Sequence, residues 1–284
     1  MNIKEIKSIE LSSFTTMITA IHVIFSIIAT IILSIAVLLI VPNSGSLVLY
    51  LIPTIIVGTF MFSIYNIFCG GMFYNLLSKK LKTIAFEIKD TQIVKISTTE
   101  TAMMIAIIST IQIILIYLAS IFILPLMLSS IMQTLILTGQ QTVAYSLYQL
   151  MNIINQPVTV LMFIFGVFII TFVFTLLGTY IYNFIARKDR GVSLKLTESG
   201  DLTQIDSIDA LKIAIAMALI NGVLSIISGA IQLVSGANVF NFIFGIIGGF
   251  VSGFILAMLF ALIYNILADK IGKIKLELID YKIN

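Results

Sequence analysis

Six stretches of the chain stay apolar for longer than the roughly 18 residues that a membrane-spanning helix needs. They cover about residues 14–41, 47–77, 102–124, 158–186, 210–233 and 239–267. Outside them the period of the apolar positions changes. Ile84, Phe86 and Ile88 alternate with other residues, as do Val192, Leu194 and Leu196, and then Ile274, Leu276 and Leu278. Period-two alternation is the pattern of a half-buried strand. Ile6 and Ile9, Ile93 and Ile96, and Ile205 and Ile208 stand in similar short segments ahead of the first, third and fifth apolar stretches. The pattern predicts helices in pairs, each pair entered and left through a strand.

The pairs are alike. Tyr-Asn recurs near the end of every second helix, as Tyr74-Asn75, Tyr182-Asn183 and Tyr264-Asn265. A glycine precedes each tyrosine by a constant interval, at Gly58, Gly166 and Gly248, and a small residue follows each glycine, at Ser63, Thr171 and Gly253. In the first helices the stripe Thr15, Thr19, His22, Ser26 aligns with Ala102, Ala106, Ser109, Ile113 and with Ala214, Ala218, Asn221, Ser225. Their spacing keeps each stripe on one helical face, where small side chains let helix backbones approach. Three tandem units follow: 1–90, 91–200 and 201–284, each strand, helix, helix, strand. The middle unit carries an additional segment, 126–157, with Gln133, Gln140, Gln141, Gln149, Asn152 and Asn155 and no charge. It reads as an interfacial helix pair, with a lid or partner surface as the sharper alternative. Turns are expected at Lys89-Asp90 and at Glu198-Ser199-Gly200-Asp201.

Charge orients this plan. Lysines and arginines fall before the first helix, between the second and third, between the fourth and fifth, and after the sixth, and every acid keeps to the same side. Basic residues stay cytoplasmic, so both termini are expected inside. The expected fold is therefore an α-helical integral membrane protein. Six transmembrane helices form three hairpins in a pseudo-threefold arrangement, and cytoplasmic strands form a small β-assembly. That assembly is expected to be a barrel-like ring of six strands with the alternating residues named above turned inward. Composition agrees: 60% of the 284 residues are apolar and 10% are charged, against about 25% charged in soluble domains. The net charge of +3 implies no nucleic-acid partner, and the single cysteine, Cys69, excludes a disulfide framework.

The ending of each unit resembles that of a prokaryotic two-helix membrane domain family of unknown function. In that family Tyr-Asn is followed by a few residues, glycines and an alternating strand. The closest match runs from Tyr264-Asn265 through Gly272 into Ile274-Lys275-Leu276-Glu277-Leu278; the middle unit offers Tyr182, Asn183 and Gly191, and the first lacks the glycine. The resemblance implies an architecture repeated three times, a place in a prokaryotic cell membrane, and no particular activity.

Little in the sequence points to reaction chemistry. There is no glycine-rich phosphate loop, no nucleophile elbow and no metal-spaced His/Cys cluster, and no cofactor is expected. His22 is the only histidine; with its counterparts Ser109 and Asn221 it marks a candidate polar level in the membrane. Asn75, Asn183 and Asn265 either line a polar constriction or satisfy helix-end carbonyls, with the tyrosines as interface anchors. Lys79-Lys80-Lys82 and Arg187-Lys188-Arg190 read as topology signals or as contacts for anionic head groups. The expected role is a non-enzymatic scaffold in the bilayer with a cytoplasmic or membrane protein partner. The alternative is a passive pore or carrier for a neutral solute or ion along the pseudo-threefold axis.

Overall fold

The computed structural model describes residues 2–42, 44–154, 156–236 and 238–281, and for residues 2, 150, 153, 154, 188 and 189 the backbone alone. Among the expected positions, Asn155 lies outside the described residues. Six helices are long and apolar enough to cross a membrane: α1 (Leu11–Ile40), α2 (Gly45–Leu77), α3 (Thr98–Leu137), α5 (Pro157–Ile185), α6 (Ala210–Val234) and α7 (Val239–Ile271). A seventh, α4 (Gln141–Ile154), is short. Two starts show why the chain turns helical where it does. The Glu10 carboxylate accepts the backbone N–H groups of Ser12 and Ser13, and Asp209 accepts those of Leu211 and Lys212. A side chain thus satisfies donors that a first turn leaves open, and its negative charge suits the positive helix end.

One boundary differs from expectation. The third helix does not stop before Pro125 but runs on to Leu137, so the expected interfacial pair is an extension of α3 followed by α4. Proline removes one backbone donor, whereas ending the helix inside an apolar run would strand several carbonyl and N–H groups.

The chain divides into two compact units, one of residues 1–104 with 176–284 and one of residues 105–175. The first contains the close helix pairs α1–α2 and α6–α7 and all the strands; the second consists of the rest of α3, α4 and the first part of α5. Among the described residues α3 and α5 form no comparably close pair. Position 113 of the α3 stripe is isoleucine where α6 has Ser225, and the α6–α7 contact also draws on Gly222 and Gly229.

The strands are β1 (Asn2–Ile9), β2 (Ala85–Lys89), β3 (Gln92–Ile96), β4 (Leu194–Ser199), β5 (Leu202–Ile208) and β6 (Lys275–Asp280). They form one antiparallel sheet in the order β3-β2-β1-β6-β5-β4. Its two ends meet. Ile93 N–H donates to Val192 O (2.9 Å), Leu194 N–H donates to Thr91 O (2.8 Å), and Gln92 bridges Ser193. The six strands therefore close into a ring, which leaves no edge to pair with another chain. The turns lie where expected: Asp90 (φ 57°) and Gly200 (φ 62°) take the left-handed conformation that a tight hairpin uses.

The ring curves through three bulges. By register Lys7, Val94 and Asp206 are the extra residues in β1, β3 and β5. Each bulge lets two isoleucines three positions apart share a face. Ile6 and Ile9 oppose Leu278 and Leu276; Ile93 and Ile96 oppose Ile88 and Phe86; Ile205 and Ile208 oppose Leu196 and Leu194. This is the apolar face of the ring. Phe86, Ile208 and Ile274 are buried on it, while Ile84, Ile88, Val192, Leu194, Leu196, Leu276 and Leu278 are half-buried. Where the ring meets the helices, Ile208 and Ile274 join Met17, Ile18 and Ile21 of α1 and Ala261, Tyr264 and Ala268 of α7 in one buried cluster.

Candidate functional site

Three side-chain clamps tie the helices to the ring. A bulge breaks the ladder and leaves a carbonyl without its strand partner. The carbonyls in question belong to Ile6, Ile93 and Ile205, the residues just before Lys7, Val94 and Asp206. A tyrosine hydroxyl donates to each: Tyr74 to Ile6 (2.6 Å), Tyr182 to Ile93 (2.6 Å) and Tyr264 to Ile205 (2.5 Å). In the second and third clamps the same oxygen accepts a backbone N–H from the returning segment, from Val192 (3.0 Å) and from Ile274 (3.3 Å).

The neighbouring asparagines finish the work. Asn75 accepts from Ile9 N–H (2.7 Å) and donates to Ile9 O (2.8 Å). Asn183 does the same with Ile96 (2.7 and 2.8 Å), and Asn265 with Ile208 (2.9 and 2.8 Å). One amide thus meets both backbone groups of a single residue, as a neighbouring strand would. These asparagines neither line a constriction nor cap helix carbonyls, as the sequence had suggested. The tyrosines are buried inside the protein, at 3%, 5% and 0% exposure, and do not anchor in an interface. The isoleucines they hold are the aligned pairs read from the sequence. The contact itself leaves no mark in the sequence, because Tyr74 and Ile6, Tyr182 and Ile93, and Tyr264 and Ile205 stand far apart along the chain.

The recurring glycines sit elsewhere. A Cβ added at Gly58, Gly166 or Gly248 would meet nothing within 4 Å. At 3.6 residues per turn, an interval of sixteen residues places them about 160° around the helix from the buried tyrosine. Close packing falls instead to other positions. A Cβ at Gly253 would stand 2.7 Å from Met217 O and 2.9 Å from Asn221 Nδ2, and one at Gly249 would collide with Ser225.

Of the expected polar level, His22 and Asn221 lie in the first unit and Ser109 in the second. His22 Nδ1 lies 3.0 Å from Ser63 Oγ on α2, and Asn221 packs beside Gly253 on α7. Each faces the partner helix of its own pair. No group of three or more His, Cys, Asp or Glu among the described residues is placed to hold a metal ion.

Ion pairs cross the ring's last seams. Lys4 pairs with Asp280, Lys7 with Glu277 and Lys273 with Asp206, each at 2.7 Å. Hydrogen bonds from Lys273 and Thr197 hold the Asp206 carboxyl below its usual range, and those from Lys7 and Ser8 do so for Glu277. The Asp206 partner raises Lys273.

The wall of β1, β2 and β3 carries a groove of about 920 Å³, lined also by the turn after α2 and the start of α3. A smaller cleft of about 550 Å³ lies between Thr15, Thr19 and Val23 of α1 and Phe60 and Ile64 of α2. No protein-family model matches the chain, and no curated protein or solved structure is detectably similar to it.

Proposed function

We propose that the chain is a non-enzymatic scaffold of a prokaryotic cell membrane, with the strand ring on the cytoplasmic side and six helices in the bilayer. In this reading units 1–90, 91–200 and 201–284 surround a pseudo-threefold axis. Cyclic bonding supports that plan. Each entering strand bonds its own returning segment, as Ile6 to Ile84, Ile93 to Val192 and Ile205 to Ile274. Each also bonds the returning strand of the preceding unit, as Ser97 to Ala85, Asp209 to Ser193 and Glu10 to Lys275. The resemblance of each unit's ending to the two-helix family is part of the same proposal.

The observation that carries the scaffold reading is the buried apolar cluster over the helix end of the ring. A conducting pathway needs polar or hydrated walls, and Met17, Ile18, Ile21 and Ile274 offer none there. The far end presents the hairpin tips at Asp90 and Gly200, which are exposed, as contacts for a protein partner.

The test is reconstitution in liposomes of the natural chain and of Asn221→Lys. No ion or solute flux is expected from either. The variant should fold poorly, because a lysine at mid-membrane costs roughly 2.5–3.5 kcal/mol. A well-folded Asn221→Lys protein that conducts would replace the scaffold with a pore. Cysteines at Ser46 in the first turn of α2, Gln140 between α3 and α4, and Ser235 between α6 and α7, all exposed, should react with an impermeant thiol reagent from outside the cell. Labelling only after lysis would reverse the orientation.

A further inference from the structure

We propose that the groove on the wall of β1, β2 and β3 binds the head group of an anionic phospholipid, with Lys82 and Lys95 receiving its phosphate. The inference rests on the membrane reading above. The turn after α2 carries Lys79, Lys80 and Lys82 at the point where the apolar helix ends. All three are exposed, and none forms an ion pair among the described residues. Topology signalling alone would ask only for charge. Here the charge opens onto a built cavity.

Lys82 and Lys95 line the groove together with the hydroxyl residues Ser78, Thr83, Thr98 and Thr99, and Leu81 supplies an apolar lip beside the helices. The corresponding turns of the other units end in glycine. Gly272 takes φ 102°, and a Cβ at Gly191 would run into Ile93 O. Only the first unit has no glycine in this turn. Acids share the wall. Glu5 already accepts the Thr83 hydroxyl at 2.6 Å, whereas Glu87 and Glu100 stand ready for donors, so a head group bearing hydroxyls beside its phosphate fits best.

The experiment measures binding of short-chain phosphatidylglycerol, short-chain phosphatidylcholine and inorganic phosphate to the purified full chain by native mass spectrometry. Phosphatidylglycerol should bind at least tenfold more tightly than phosphatidylcholine, and phosphate alone should not compete. A lysine near a phosphate is worth about fivefold, so Lys82→Gln with Lys95→Gln should lose more than about tenfold. Arg187→Gln with Arg190→Gln should change binding less than twofold. An equal loss in that control would reveal diffuse attraction and overturn the site. Competition by phosphate would reassign it to a soluble ligand, and no preference among lipids would remove it. Lys79→Gln with Lys80→Gln, farther from the cavity, gives a second reading with a smaller loss expected. The measurement does not depend on which side of the membrane the ring faces, so reversed thiol labelling leaves it intact.

Discussion

The tyrosine hydroxyl at each clamp replaces a ladder bond that a bulge has removed. Tyr264→Phe keeps the ring and its packing but leaves Ile205 O and Ile274 N–H without that partner in a buried place. An unsatisfied buried group costs about 1–3 kcal/mol. Thermal unfolding in detergent should show that loss, while Tyr180→Phe, at an exposed position (70%), should stay within about 0.5 kcal/mol. Equal effects would deny the clamp its role. Much of this was legible beforehand. Tyr-Asn and the isoleucine pairs recur in register, and an interval of three between isoleucines in a strand itself signals a bulge, since strict alternation would put them on opposite faces. The hydroxyl's partner was not legible, because Tyr74 and Ile6 are brought together only by the closed ring.

Helix pairing shows where pattern and contact part company. The stripes on α1 and α6 lie on faces that meet a partner, as His22 meets Ser63 and Asn221 meets Gly253, whereas the α3 stripe has no comparably close partner helix among the described residues. The conspicuous glycines Gly58, Gly166 and Gly248 did not, because recurrence along a sequence says nothing of which side of a helix a residue occupies. Two substitutions separate the cases. Gly253→Ala places a Cβ against the α6 backbone at Met217 and Ala218, which cannot move aside as a side chain can. It should destabilise by about 1–3 kcal/mol, the usual cost of overpacking. Gly248→Ala meets open space and should stabilise by up to about 1 kcal/mol through helix propensity. Melting temperatures moving together would show that the α6–α7 contact is not close. The six spans themselves were readable to within a few residues except at Pro125, where a proline looked like a stop and the apolar surroundings favoured continuation.

For the whole molecule, the ring's stability should follow pH through its seam pairs. The Asp206 and Glu277 carboxyls are lowered in the folded chain. Their contribution is present above the unfolded value of about 4 and is lost as pH falls through the lower folded value. Lys273 is raised, so its share is full below an unfolded value of about 10.4 and fades as pH rises through the folded one. A plateau from about pH 5 to 9 with losses on either side is expected, shallow because these groups face water. Melting temperatures at low ionic strength should fall less steeply below pH 4 in Asp206→Asn with Glu277→Gln than in the natural chain, and salt should narrow the difference. Identical slopes would show that the pairs do not hold the seam. The closed ring was foreseeable from six alternating segments delivered to one side. Its order was not, since a strand's neighbours are set by connections and register.

The seam between β1 and β6 also sets a timetable. β1 is the first strand to leave the ribosome and β6 the last, and Ile6 finds Leu278 only after about 270 further residues have been made. At roughly 5–20 residues per second that interval is on the order of tens of seconds. The hairpins β2–β3 and β4–β5 can form meanwhile, and β1 can rest on β2. One edge of β1 and one edge of β5 nevertheless stay bare at the ribosome until β6 arrives to cover both. Assembly of this ring therefore ends with a single insertion event, and a chain interrupted before residue 275 emerges as an open sheet of five strands with two sticky edges, a substrate for quality-control proteases.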